Sequence, residues 1–131
     1  MLKISELKEG DVVRVEEEDM SRQGRVVDIS QEDLQALINN GVQEFWYDLD
    51  KIHPLPLDDQ QLTRLGFAKE TNGQGVKYMR GPFRIVVENN DFSDIEMWYR
   101  EDRRHFNTPI GVHHLQNVYL QMTKVPLQMP D

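Results

Sequence analysis

The amino-acid sequence predicts an α+β protein: a small SH3-like β-barrel, followed by a helix, an antiparallel β-meander and a C-terminal helix. Three observations predict this class. Short segments that alternate apolar and polar residues, separated by turns, fill residues 1–57. A capped helical segment follows the prolines, and an amphipathic segment lies near the end of the chain. We expect two parts, residues 1–57 and 58–131, packed as one compact unit.

The first two barrel strands are predicted from alternation. Asp11–Glu16 follows a turn at Gly10 and reads as the first strand. Four consecutive acids follow at Glu16–Asp19, and so much charge resists burial, so we expect a solvated loop there. Arg25–Ile29 is predicted as the second strand.

A β-hairpin is predicted next. Leu34–Ile38 fits a short helix as well as a strand, and we favour the strand. It would pair with Val42–Tyr47 across the turn Asn39-Asn40-Gly41. Asp48–Ile52 is expected to form one helical turn that leads into the prolines of residues 53–56, which can neither continue a helix nor donate to a sheet.

The second part begins with a helix that has recognisable signals at both ends. Asp58 is a suitable N-cap, and Gln61 three residues later completes a capping-box pattern. Gly66 supplies the left-handed residue that ends a helix. These signals predict a helix over Asp59–Leu65.

A meander and a final helix complete the prediction. Three strands are expected, with alternating or β-branched residues: Val76–Arg80, Phe83–Glu88 and Asp94–Arg100. A helix over about Val112 to Thr123 would cover one face of this sheet with its apolar stripe. The stripe consists of Val112, Leu115, Val118, Tyr119 and Met122.

Composition narrows the possible functions. The 131 residues include no cysteine, which excludes disulfides, thiolate zinc sites and cysteine nucleophiles. The net charge is −8, of which −7 lies in residues 1–57 and −1 in residues 58–131. A negative field opposes direct binding to nucleic acid or to anionic membranes. There is no apolar signal segment or membrane-spanning stretch, so we expect a cytoplasmic location.

Three blocks of the sequence resemble one family. The blocks are ISELKEGDVV from Ile4, YDLDKIHPLPL from Tyr47 with LGF from Leu65, and VHHLQNVY from Val112. Together they are similar to a family of small uncharacterised proteins common in bacterial genomes and their prophages. The resemblance implies a bacterial or prophage origin and brings no catalytic residues. His114 departs from it, since glutamine is more usual there.

A run of aromatic residues is the first candidate site. Phe45-Trp46-Tyr47 places rings on both faces of one strand, so at least one ring should point away from the barrel core. Trp46 or Tyr47, with the acidic side of the barrel, would then form a surface for a protein partner. We favour the alternative that the outer ring packs against the second part of the chain.

Two amides in the last helix form the second candidate. Gln116 and Asn117 lie among apolar residues and could form a polar contact with a ligand. We favour the alternative that one of them is a buried hydrogen-bond partner for a loop end, such as Asn107–Gly111.

A cluster of cations is the third candidate. Arg100, Arg103 and Arg104 could contact an anion such as phosphate. A charged hairpin turn, partly paired with Glu101 and Asp102, accounts for the same residues.

No catalytic, cofactor-binding or metal-binding residues are predicted. The sequence contains no nucleophile elbow, phosphate-binding glycine loop or paired-histidine zinc motif. His113 and His114 are adjacent and so point about 100° apart on a helix, whereas helical metal pairs are spaced i, i+4.

The sequence favours a non-enzymatic protein-interaction module of bacterial or prophage origin, with an unidentified protein partner. One alternative is an acidic nucleic-acid mimic that inhibits a host DNA-binding protein. Another is a small nucleotide-binding protein or hydrolase that uses residues 100–105. The oligomeric state is not indicated.

Overall fold

The structure, a computed structural model, describes residues 2–73 and 75–130. It confirms the α+β class: antiparallel strands form two five-stranded sheets, and a helix lies near the C-terminus. Contacts divide the chain into two units. The first is Met1–Leu55 with Gly111–His114, and the second is Pro56–Ile110 with Leu115–Asp131.

The sheet of the first unit is a curled half-barrel. Its strands are β1 (Val12–Glu17), β2 (Met20–Ser30), β3 (Gln35–Asn39), β4 (Glu44–Asp48) and β5 (Ile52–His53). They lie in the order β4-β3-β2-β1-β5, and every pair is antiparallel. One 3-10 turn, Ile4–Glu6, precedes the sheet, and another, Leu49–Lys51, joins β4 to β5.

The long strand β2 produces the curl. It pairs with β1 through its first half and with β3 through its second. The register shifts between Val26 and Asp28, which marks a β-bulge, and a bulge bends the strand and increases its twist. Gly24 lies inside β2, where a Cβ would come within 2.4 Å of the Ile38 side chain. A larger residue at this position would therefore force β2 and β3 apart.

Aliphatic residues from β1, β2, β3 and β5, together with Tyr47 from β4, fill the core of the first unit. Leu2 and Leu7, which precede the strands, complete this core. The strand residues in it are Val13, Val15, Val26, Ala36, Ile38, Tyr47 and Ile52. Along β3 the buried Ala36 and Ile38 alternate with more exposed residues, as one buried face requires, whereas β1 buries Val12 as well as Val13 and Val15.

The predicted hairpin is confirmed, because β3 and β4 pair across residues 40–43. The predicted acidic loop is wrong for Glu16 and Glu17, which continue β1. Only Glu18 and Asp19 form the turn, and Glu18 adopts a positive φ of 52°. The charge of Glu16 and Glu17 does not prevent them from continuing the strand. Side chains near the end of a strand can be partly solvated while their backbone groups stay hydrogen-bonded to the neighbouring strand.

The second unit contains a five-stranded meander. Its elements are α1 (Asp59–Arg64), β6 (Ala68–Asn72), β7 (Gly75–Arg80), β8 (Phe83–Glu88), β9 (Ile95–Tyr99), β10 (Asp102–Phe106) and most of α2 (Val112–Thr123). The strands lie in the order β10-β9-β8-β7-β6. The prediction of three strands is therefore two strands short. Both missing strands are edges: β6 is exposed along its whole length, and β10 is mostly charged, so neither shows an apolar alternation.

Helix α1 has the predicted N-cap and the predicted left-handed end, but the second bond of the predicted capping box, from the Asp58 N–H to the Gln61 Oε1, is not formed. The Asp58 carboxylate accepts a hydrogen bond from the Gln61 backbone N–H at 2.9 Å. Gly66 adopts a φ of +91°, and the Phe67 N–H donates to the Leu62 carbonyl at 3.1 Å. This pattern is a Schellman-type end, which satisfies carbonyls that the helix itself cannot pair.

Loss of the N-cap should cost a predictable amount of stability. We expect Asp58→Ala to lower the free energy of unfolding by about 1 kcal/mol, because the Gln61 N–H loses its acceptor. Asp58→Ser restores an acceptor and should recover most of that loss. Urea denaturation of the three proteins measures the differences. Equal stability of the alanine and serine variants would show that the cap contributes nothing.

From Leu115 onward the apolar stripe of α2 covers one face of the second sheet, as predicted, whereas Val112 belongs to the first unit. The Tyr119 ring lies 4.7 Å from the Phe83 ring and 6.4 Å from the Phe67 ring, measured between centroids. Leu115, Val118 and Met122 are buried with Tyr119.

Candidate functional site

A groove of about 780 Å³ opens on the first unit. One wall comes from the hairpin that joins β1 to β2, and the other from β4 and the 3-10 turn that follows it. The hairpin wall contributes Glu16, Glu17, Glu18, Asp19, Met20 and Arg22. The other wall contributes Phe45, Trp46, Tyr47, Asp48 and Lys51. The groove therefore joins the aromatic run to the acidic run, which are far apart in the sequence.

The aromatic wall exposes apolar surface to solvent. Phe45 is 53% exposed and Trp46 is 40% exposed, whereas Tyr47 lies in the core with only 4% of its surface accessible. The rings of Phe45 and Tyr47 meet edge to face, with centroids 5.3 Å apart. Aromatic side chains with exposed apolar surface are enriched at sites that contact other molecules.

A hydrogen-bond network fixes one carboxylate in the groove. The Tyr47 hydroxyl donates to Glu17, and the Asn40 Nδ2 donates to both Glu17 at 3.1 Å and the Tyr47 oxygen at 3.0 Å. The hydrogen bond from Tyr47 holds the pKa of Glu17 below its ordinary value. Burial, together with the hydrogen bond to Glu17, raises the pKa of Tyr47. At neutral pH the groove therefore holds a fixed anion beside a neutral phenol.

The groove carries a net negative charge. Its lining includes five carboxylates and, among the described residues, two cations, Arg22 and Lys51. Arg22 lies 3.5 Å from Glu17, and Lys51 lies 3.9 Å from Glu16. Both ion pairs are substantially exposed and thus weak. The remaining charge of −3 would favour a positively charged ligand.

The sequence signalled only part of this site. The aromatic run and the acidic run were both visible, but Glu17 was expected in a loop. Its partners Asn40 and Tyr47 are 23 and 30 residues away along the chain, so no local pattern could pair them. Met20 is 60% exposed in the same groove, and no feature of the sequence predicted that it would belong to the site.

The two amides of α2 differ in burial. Gln116 is 1% exposed, and its Nε2 donates to the Leu127 carbonyl at 2.9 Å. It therefore holds a backbone segment beside the helix, although that segment follows the helix and is not Asn107–Gly111. Asn117 is half-buried on the same helix.

The arginine cluster is spread along a strand. Arg103 and Arg104 lie within β10, so the prediction of a hairpin turn there is wrong for both, and only Arg100 lies in the turn. The expected pairing with Asp102 is present, because the Arg104 Nη2 lies 3.4 Å from its carboxylate. Arg103 stacks over the Trp98 ring at 4.0 Å. Arg104 contacts Gln121 at 3.2 Å. Neighbouring strand residues point to opposite faces, so these cations do not converge on one anion.

The histidines occupy separate environments. His113 is buried, with Nε2 3.4 Å from a Glu6 carboxylate oxygen. His105 is exposed and pairs with Asp94, a hydrogen bond that raises the pKa of His105. Residues 2–73 and 75–130 contain no group of three or more histidine, aspartate or glutamate side chains placed to hold a metal ion.

A buried carboxylate lies near His113 in the first unit. Asp11 is fully buried and accepts hydrogen bonds from the Lys8 backbone N–H at 3.0 Å and the Lys8 Nζ at 2.5 Å. Burial raises the pKa of Asp11, although the hydrogen bonds and charge of Lys8 act in the opposite direction. The Gly10 N–H and the Val26 N–H tie the same turn to β2. The cluster therefore organises the entry to β1.

In the described part of the chain, none of the helices has the length and apolar character needed to cross a membrane.

Comparisons with known proteins add no assignment. The resemblance to small bacterial and prophage proteins stays a prediction. No family model matches the chain, and neither do any curated protein or solved structure.

Proposed function

We propose that the chain is a non-enzymatic protein-interaction module that binds a lysine- or arginine-bearing segment of a partner protein in the groove of its first unit. One observation carries the proposal: exposed aromatic rings of β4 and five carboxylates line the same concave surface. Aromatic faces attract cations through their quadrupole, and carboxylates attract them directly.

The contacts are individually weak, so binding depends on several acting together. A cation over an exposed aromatic ring contributes about 0.5–1 kcal/mol. Each exposed ion pair contributes roughly 0–1 kcal/mol and is screened by salt. The proposed interaction is therefore reversible, and its affinity falls as the salt concentration rises.

The proposal also includes an SH3-like fold for the first unit and a location in the bacterial cytoplasm. The short strand β5 returns to pair with β1, which supports an SH3-like arrangement of the half-barrel. Barrels of this class use exposed aromatic grooves to bind extended peptides. We place the module in the cytoplasm of a bacterium, with an origin in a bacterial or prophage genome.

Replacing the exposed tryptophan tests the proposal. The probe is a short peptide that alternates lysine and threonine, titrated into the protein by fluorescence anisotropy. We expect Trp46→Ala to weaken binding about tenfold, the loss typical of an interface anchor. Val42→Ala is the matched control, because Val42 is 77% exposed in the same hairpin and does not line the groove. Val42→Ala should bind like the wild type.

Two outcomes would overturn the proposal. One is a wild-type protein that binds the lysine–threonine peptide no better than a glutamate–threonine peptide. The other is a wild type and a Trp46→Ala variant of equal affinity. The second outcome would favour a nucleic-acid mimic, in which carboxylates alone attract a basic protein. The acidic run Glu16–Asp19 motivates that alternative, and the ion pairs of Arg22 and Lys51 weaken it.

A further inference from the structure

Strand β4 is an edge of the first sheet. Within the described residues it pairs with β3 alone. Two hydrogen bonds show which residue pairs of the β3–β4 ladder are hydrogen-bonded pairs. The Asn40 N–H donates to the Gln43 carbonyl at 3.1 Å, and the Leu49 N–H donates to the Leu34 carbonyl at 3.0 Å. Pairs 40/43 and 34/49 are thus hydrogen-bonded pairs at the two ends of the β3–β4 ladder.

The alternation of an antiparallel ladder then determines in which direction the backbone groups of the residues between these two pairs point. Hydrogen-bonded and non-hydrogen-bonded pairs alternate, so Phe45 and Tyr47 direct their N–H and C=O groups toward β3. Glu44, Trp46 and Asp48 direct theirs away from β3. The free edge of β4 therefore offers three N–H donors and the C=O acceptors of Glu44 and Trp46, since the Asp48 C=O accepts the first hydrogen bond of the 3-10 turn Leu49–Lys51.

The side chains on this edge select a cation. Glu44, Trp46 and Asp48 are all exposed and lie on one face of β4, two residues apart. A strand added at this edge would place alternate side chains beside them. A lysine or arginine opposite Trp46 would lie over or beside the indole ring, with a carboxylate diagonally on each side.

The outer edges of the second sheet differ from β4. β6 exposes all five of its residues, none of them a large apolar side chain, and β10 contains Arg103, Arg104 and His105. Charged and polar edges of this kind resist pairing with another chain. β4 instead combines two exposed aromatic rings with the carboxylates of Glu44 and Asp48, so it repels acidic chains and attracts basic ones.

A second copy of this chain is a poor occupant of the edge. Antiparallel self-pairing centred on Trp46 would place Glu44 of each copy opposite Asp48 of the other. Like charges directly opposite each other destabilise a sheet, and each copy has a net charge of −8.

We infer that β4 binds its partner by strand addition: an extended segment with lysine or arginine at alternate positions pairs antiparallel with Glu44–Asp48 and extends the sheet. Every pair in this sheet is antiparallel, which favours that direction. Main-chain hydrogen bonds would supply affinity, and the alternate cations would supply selectivity. The inference rests on the proposed function, because it describes how the same cationic segment is held.

N-methylated versions of the lysine–threonine peptide test the inference. In antiparallel pairing, a peptide residue opposite Trp46 has its side chain on the Trp46 face and its N–H directed at β4. We therefore expect methylation of the lysine amides to weaken binding at least tenfold. Methylation of the threonine amides, which point away from β4, should change affinity little. Amide hydrogen exchange should show new protection at Glu44, Trp46 and Asp48, but not at Phe45 or Tyr47.

The outcomes separate this inference from the proposed function. If both methylated peptides bind like the unmodified one, the groove binds cations without strand addition and only the inference is wrong. Equal loss by both peptides, or protection absent from the three edge amides, would also overturn it. If the unmodified peptide does not bind, the proposed function itself is wrong.

Discussion

Exchange of Glu44 and Asp48 for lysine in one variant is expected to weaken binding of the lysine–threonine peptide on the order of a hundredfold. Both carboxylates flank Trp46 on the exposed face of β4, so each substitution replaces an attraction by a repulsion. Like-charge contacts at an interface cost several kcal/mol when desolvated and less when exposed to salt, and two partly exposed contacts together give an effect of about this size.

The same double variant provides its own positive test. It should bind a glutamate–threonine peptide that the wild type rejects, because the charge pattern of the edge is inverted while its backbone is unchanged. Glu9→Lys with Glu32→Lys is the matched control. Both residues are exposed, neither lines the groove, and the net charge changes by the same amount. If the control loses as much affinity as the β4 variant, net charge and not the edge determines binding.

Replacement of Phe83 by alanine is expected to have the largest effect on stability. Phe83 is fully buried, and its ring lies 4.7 Å from Tyr119 and 6.1 Å from Phe67. Truncation removes the apolar contacts that hold α2 on the second sheet and leaves a cavity, which costs about 3–5 kcal/mol for a buried phenylalanine. That is a large share of the roughly 5–15 kcal/mol by which domains are stable.

Thermal and urea unfolding measure this loss. Phe45→Ala makes the same chemical change at a side chain that is 53% exposed, and it should reduce stability by less than about 1 kcal/mol. The two variants therefore separate a phenylalanine that supports the fold from one available for binding. Similar losses for both would contradict the assignment of Phe45 to an exposed surface.

The sequence predicted elements whose signals are local. The N-cap at Asp58 and the left-handed Gly66 lie within a few residues of the helix they bound, so α1 was found almost to the residue. The sequence left Leu34–Ile38 open between a helix and the favoured strand, and the structure shows a strand over Gln35–Asn39. The edge strands β6 and β10 were missed because β6 is exposed along its whole length and β10 is mostly charged, so neither carries an apolar alternation.

The site could be predicted only in part for the same reason. Alternation along Phe45-Trp46-Tyr47 required at least one outward ring, but it could not show that Phe45 would also be largely exposed. The anchoring of Glu17 by Tyr47 joins residues on different strands, and only the folded sheet brings them together. The free backbone groups of β4 likewise depend on the strand order of the sheet.

The most direct test of the central claim is a backbone NMR titration of the wild-type protein with the lysine–threonine peptide. The claim is that the acidic, aromatic groove and the adjacent edge of β4 form one binding surface for a cationic segment. We predict saturable shift changes at Glu44–Asp48 and Glu16–Met20, with residues 100–104 unaffected. Shift changes that are absent from β4, or that are concentrated on β10, would contradict it.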